Sequence, residues 1–128
     1  MLQKLTWLSL ADNTNIKWAQ IFHLYKGFHR KRTFVGYFVK GSARVVEPPR
    51  IVYKGFKFKF SRKGDICRAL IIRANRVTPR ADGSTFCFKA NNGVVLKKRN
   101  EFKSKYIFGP ISTLLRRKRY KTLFKVII

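Results

Sequence analysis

Few residues of this chain could do acid–base or nucleophilic chemistry. The carboxylates are five: Asp12, Glu47, Asp65, Asp82 and Glu101. Asp12, Asp65 and Asp82 stand beside Asn or Gly, where a short polar side chain caps a turn by bonding its own backbone. General acid–base work by paired carboxylates needs two of them to converge, and nothing in their spacing brings them together. His23 falls in an extended segment and His29 in a basic loop, and neither has a neighbour set for a triad or a metal. Cys67 and Cys87 lack a Cys-x-x-Cys element, so zinc is not expected. Both are expected to be buried free thiols. Gly27, Gly36 and Gly41 lack the spacing and the following Lys-Ser/Thr of a phosphate-cradling loop. The chain reads as a non-enzyme with no metal and no cofactor.

Its chemistry is ionic. Thirty Lys and Arg against five acids give a net charge of +25 in 128 residues, while 45% of the chain is hydrophobic and 15% aromatic. That is too apolar for a disordered basic tail. A folded domain with such a surplus repels itself. Nucleic acid is the first polyanion that relieves it, an acidic membrane surface the second. The cations cluster at 30–32, 57–63, 97–105 and 116–121. A solvated basic face is normally interspersed with acids, which are nearly absent here. Charge spread over separate segments suits a large folded RNA touched from several sides, whereas a groove reader concentrates it on one element. The expected RNA-binding residues are Arg30, Lys31 and Arg32; Lys57, Lys59, Arg62 and Lys63; Arg73, Arg76 and Arg80 around a central strand and its loop; Lys97, Lys98, Arg99 and Lys103; and Arg116, Arg117 and Arg119. No apolar run approaches the ~18 residues of a membrane span. Leu5–Ala11, with one Lys ahead of it, reads as a first strand and not as a signal segment.

The elements that must position these charges are short strands, since turn residues recur about every ten positions. The expected strands are Leu5–Leu10, Ile16–Tyr25, Val35–Val46 bent at Gly36 and Gly41, Ile51–Phe60, Ile66–Arg73, Thr85–Phe88 and Val94–Leu96. Phe56, Phe58 and Phe60 alternate with Lys57 and Lys59 at period two. This puts Phe inward and Lys outward as a phosphate rail, with base stacking on Phe58 as the alternative. Leu70-Ile71-Ile72 predicts burial on both faces. Asn91-Asn92-Gly93 reads as a hairpin turn, and Lys97–Lys105 as a mobile or RNA-ordered loop. Gly109-Pro110 opens the one expected helix, with Ile111, Leu114 and Leu115 at i, i+3, i+4 and its cations late, where they suit the dipole. The fold class is mainly β. Closing the sheet into a small barrel removes edges that so many Phe could not expose. One domain spans 1–128: a barrel over about 1–96, a basic loop at 97–106 and a C-terminal helical segment over about 107–128.

Ala69, Leu70-Ile71-Ile72, Asp82-Gly83, Phe88, Asn91 and Val94-Val95, in this order and spacing, resemble the signature of the universal large-subunit ribosomal protein fourteen family. Ala11-Asp12-Asn13-Thr14, Lys63-Gly64-Asp65 and Ile107-Phe108-Gly109-Pro110 extend the resemblance from Met1 to about Tyr120. Departures are Asn15 for a usual Gly, which Asn's tolerance of left-handed backbone accommodates, Tyr37 for an acid, extra residues around 50–60, and lost acids before 116–119. The resemblance implies a five-stranded antiparallel β-barrel with a projecting β-ribbon and a short C-terminal helical segment. It implies a structural constituent of the large ribosomal subunit. The implied partners are large-subunit rRNA, small-subunit rRNA at an intersubunit bridge, neighbouring large-subunit proteins, and a ribosome-silencing factor docking at Lys105, Tyr106, Ile107 and Phe108. The wealth of Phe, Tyr, Ile, Asn and Lys, whose codons are AT-rich, and the absence of an Arg- and Ser-rich presequence lead to the expectation of a mitochondrial product, with a plastid as second choice. The competing function is a non-ribosomal, single-strand nucleic-acid binder with an oligonucleotide-binding-type barrel.

Overall fold

A computed structural model describes residues 2–27, 29–48, 60–115 and 118–128. In chain order these form β1 (Trp7–Leu10), β2 (Ile16–Leu24), β3 (Phe38–Val46), β4 (Ile66–Arg73), β5 (Thr78–Pro79), β6 (Thr85–Phe86), β7 (Asn92–Leu96), a 3₁₀ turn (Lys98–Asn100) and one helix, α1 (Lys118–Lys121). The expected strand Ile51–Phe60, with Phe56, Lys57, Phe58 and Lys59, lies outside the described residues except for Phe60.

Strands β1, β2, β3, β4 and β7 close a barrel in that order, and β5–β6 forms a separate two-stranded ribbon. Four seams are antiparallel, while β1 runs parallel to β7, Ser9 facing Asn92 and Leu10 facing Gly93. The closed five-stranded barrel is the one expected above, with this single parallel seam. Directions that alternate around an odd ring must leave one parallel seam. Asp12 stitches that seam. Its Oδ2 accepts the Val95 amide at 2.8 Å while Oδ1 accepts the Thr14 amide and hydroxyl. Burial pushes this carboxyl above its ordinary range despite those bonds.

Asn92-Gly93 is not the expected hairpin turn. Gly93 lies inside β7, where a Cβ would stand 2.6 Å from Leu8 Cδ2 and 3.2 Å from the Leu70 oxygen. Nor is Asn15 left-handed. Its side-chain amide donates to Ser61 O at 2.7 Å and accepts from Ser61 N at 3.2 Å, clasping the far end of the excursion that follows β3.

Two apolar layers flank β4. Leu8, Ile16, Ile21, Leu24, Val39, Ile71 and Val95 fill the barrel. Leu70, Ile72, Val94 and Leu96 face outward and are covered by Ile111, Leu115, Tyr120 and Phe124. This is why Leu70-Ile71-Ile72 is apolar on both faces. The cover is not the expected helix from 110. Ile111 makes a parallel bridge with Ile127, donating its amide to Val126 O and accepting from Ile128 N. Leu114 is exposed, and among the described residues the α-helix is α1. The loop 97–105 carries hydrogen bonds of its own: Lys97 N donates to Glu101 O at 2.7 Å, Lys103 N to Val95 O at 2.9 Å, and the Tyr120 hydroxyl to Asn100 O at 2.7 Å.

Both cysteines are free, but only Cys67 is buried; Cys87 is exposed, correcting the expectation for it. Burial, aided by the Asp12 charge, pushes the Cys67 thiol up to about 11. Only the thiolate reacts, so about one Cys67 in a thousand is reactive at pH 8. Iodoacetamide at pH 8 is expected to alkylate Cys87 and spare Cys67 in the native protein, and to label both after denaturation. Equal native labelling would contradict the placement of Cys67 against the barrel interior.

Candidate nucleic-acid interface

All five carboxylates are engaged locally. Glu47 pairs with Lys17 at 3.4 Å and Glu101 with Arg119 at 3.2 Å. Asp65 accepts the Arg62 amide and Asp82 the Ser84 amide and hydroxyl, as turn caps. Those bonds hold the Asp82 carboxyl below its usual range. These two ion pairs are the only ones among the described residues, so most of the described cations have no carboxylate partner.

Aromatic rings seat many of these cations. The Arg30 guanidinium lies 4.4 Å from the centre of the Tyr37 ring, with Lys26 Nζ at 4.8 Å from the same ring. Arg30 Nε also donates to Arg32 O at 2.8 Å, ordering the loop that exposes Lys31 and Arg32. Tyr37, which stands where the resemblance leads one to expect an acid, is thus a platform for positive charge. Arg76 lies 5.2 Å from Phe34 and Arg80 4.9 Å from Phe86. Phe34, Arg76 and Phe86, with Phe88 and Leu114, border a cleft of about 310 Å³ between the β5–β6 ribbon and the barrel. A guanidinium on a ring face is held in plane with its N–H groups directed outward, at about 0.5–1 kcal/mol for an exposed pair. Arg62 and Lys63 are exposed on the turn before β4, as are Lys98 and Arg99 on the 3₁₀ turn and Lys97 just before it. Lys103 donates to the Ser61 hydroxyl at 3.0 Å. Arg119 is exposed but shared with Glu101. Lys57, Lys59, Arg116 and Arg117 lie outside the described residues.

Arg73 does not belong with the others. It is 9% exposed. Its Nε donates to Asn92 Oδ1 at 3.1 Å, and its Nη1 to the carbonyls of Phe108 and Pro110 at 2.9 and 2.7 Å. Desolvation lowers its pKa. Its charge is used inside, to dock the 107–110 segment, and is not available to RNA. That segment is also held by Phe108 N on Ala11 O and Tyr106 O on Asn13 N. Ile107 is half-buried, while Lys105, Tyr106 and Phe108 point outward, the two rings 69% and 60% exposed. A second apolar surface escaped the sequence reading. Trp7 and Trp18, both exposed, meet edge to face at 6.4 Å on the outside of β1 and β2. Their alternation with buried Leu8 and Ala19 was the available signal.

Residues 1–126 match the family described as Ribosomal protein L14p/L23e. The chain belongs to this family. The large ribosomal subunit protein uL14m of Tetrahymena pyriformis is 36% identical over 124 residues, which are 97% of either chain. Members of the family are structural, non-catalytic ribosomal proteins with a general RNA-binding role, and this chain is one of them. Its carboxylates accordingly serve turns, a seam and two surface pairs. In this ribosomal protein the cations on their aromatic seats form one exposed surface, and Tyr106 and Phe108 of the 105–108 strap form a separate one.

Proposed function

We propose that this protein is a structural constituent of the large subunit of a mitochondrial ribosome in the matrix. In this reading it binds large-subunit rRNA and reaches small-subunit rRNA at an intersubunit bridge. The observation that carries the reading is a net charge of +25 answered by two surface ion pairs among the described residues. The RNA-facing set is Arg30, Lys31, Arg32, Arg62, Lys63, Arg76, Arg80, Lys97, Lys98, Arg99, Lys103 and Arg119, together with Lys57, Lys59, Arg116 and Arg117. Lys105, Tyr106, Ile107 and Phe108 face protein, either a neighbouring large-subunit protein or a ribosome-silencing factor. Likeness to a uL14m supports the compartment.

Sedimentation of lysed, isolated mitochondria tests this. The protein is expected to travel with the large subunit at moderate salt; recovery at the top of the gradient would favour the free single-strand binder. Phosphate contacts release counterions, so log affinity for RNA should fall against log salt by about 0.7–0.9 per neutralised phosphate. Lys57→Gln and Lys59→Gln are each expected to reduce that slope by roughly one unit, whatever the RNA sequence. An unchanged slope in the double variant would remove this segment from the interface.

A further inference from the structure

One cross-strand row on the outside of the barrel carries three basic residues in succession before it reaches Leu96. His23 on β2 faces Lys40 on β3, and Lys40 faces Arg68 on β4. Strands in a sheet are spaced about 4.7–4.9 Å apart, so the three side chains rise side by side. Like charges directly opposite one another destabilise a sheet. None of the five carboxylates answers this row: two pair with Lys17 and Arg119, two cap their own turns, and Asp12 is buried at the barrel seam.

The fold supports the row from beneath with rings. The Arg68 guanidinium lies 5.1 Å from the centres of both Tyr25 and Phe38, and Lys40 Nζ lies 6.0 Å from Tyr25. The His23 ring meets Tyr25 edge to face at 5.2 Å. Arg68 Nε is buried with no hydrogen-bond partner, one of two such side-chain atoms among the described residues. An orphaned N–H on a cation is costly. The fold accepts it in order to hold the guanidinium between two rings beside a second cation.

We propose that this row is a binding site for the sugar–phosphate backbone of RNA, with Arg68 and Lys40 gripping phosphate and His23 at the end of the row. The inference rests on the RNA-binding reading above and adds to it a place and residues outside the four basic clusters. The site carries charge and ring scaffolding and no group arranged to read a base edge. Its contribution is therefore independent of sequence.

The test uses the full-length protein with poly(U) as the probe, measuring the salt slope of affinity and, without RNA, the melting temperature. Lys40→Gln and Arg68→Gln are each expected to lower the slope by about 0.7, the single-strand value per phosphate. The melting temperature of Lys40→Gln should stay level or rise, because the change relieves repulsion within the row. Arg68→Lys should keep the wild-type slope, since it keeps the charge. If Arg68→Gln lowers the melting temperature and leaves the slope intact, Arg68 is only a packing element on Tyr25 and Phe38, and the proposal fails. An unchanged slope in Lys40→Gln, with wild-type binding still salt-dependent, overturns the row and leaves the RNA reading standing. Wild-type protein with no salt-dependent binding overturns both. Loss of poly-glutamate binding in both Gln variants, with poly(U) slopes unchanged, would reassign the row to an acidic protein.

Discussion

Ile71→Asp is expected to yield no folded protein and therefore no incorporation into ribosomes. Ile71 is fully buried in the barrel interior. It sits mid-way along β4 and faces Gly93 of β7. Its own amide donates to Tyr37 O at 3.1 Å, and its carbonyl accepts from Gly36 N at 2.8 Å. Losing the side chain forfeits about 1.5–3 kcal/mol of apolar burial. The new carboxylate would be surrounded by Leu, Ile and Val, with no cation among the described residues of the interior, which costs several kcal/mol more. Against a typical domain stability of about 5–15 kcal/mol, the sum removes most or all of it. Ile71→Val, by contrast, should cost about 0.5–1.5 kcal/mol and fold. Circular-dichroism melts of the two variants provide the check. A cooperative melt for Ile71→Asp near the wild-type temperature would show that β4 does not line the barrel.

What could be read from the sequence is what local chemistry determines. The β4 span was legible because Leu70-Ile71-Ile72 is continuous aliphatic, as a strand covered on both sides must be. The turn roles of Asp65 and Asp82 were legible because each bonds within three residues of itself. Gly93 was misread because Asn-Gly is a turn signal locally, whereas its cause is distant: Leu8 crowds the place a Cβ would occupy. The helix expected from 110 failed for the same reason. The spacing of Ile111 and Leu115 is real, and both are buried, but Ile127, sixteen residues on, captures the Ile111 backbone in a bridge. Within the candidate interface, the cations were visible as types and their seats were not. Tyr25 under Arg68 and Tyr37 under Arg30 become neighbours only when β2, β3 and β4 pair. Arg73 differs from Arg76 and Arg80 in being held by Asn92 and by the 107–110 segment laid across it.

Arg73→Met is expected to lower stability by about 2–4 kcal/mol while leaving the salt dependence of RNA binding unchanged. Hydrogen bonds from a charged donor contribute about 1.5–3 kcal/mol each. Three of them end here, leaving the Phe108 and Pro110 carbonyls and Asn92 Oδ1 without their donor. Relief of a desolvated guanidinium and the packing of Met return part of the loss. Gly109 belongs to the same device. Its φ of +84° is strained for any L side chain, and a Cβ there would stand 2.5 Å from Arg73 Nη1. Gly109→Ala should therefore cost the left-handed backbone penalty of roughly 1–2 kcal/mol and also displace the guanidinium. In the Arg73→Met background only the backbone part remains, so a double-mutant cycle should show coupling of about 0.5–3 kcal/mol. Additive costs would mean that Gly109 is needed for its backbone alone. The site of damage is specific too. Hydrogen exchange should quicken first at the Phe108 amide, whose acceptor is Ala11 O, and at Ile111, before the amides of β4. Loosening that strap misplaces Tyr106 and Phe108, so binding of the protein partner proposed for 105–108 should weaken. The salt slope is the readout that separates the two arginines of β4. Arg68 faces outward beside Lys40, and its charge is available to a phosphate; Arg73 has its charge enclosed by carbonyls, so removing it releases no counterion.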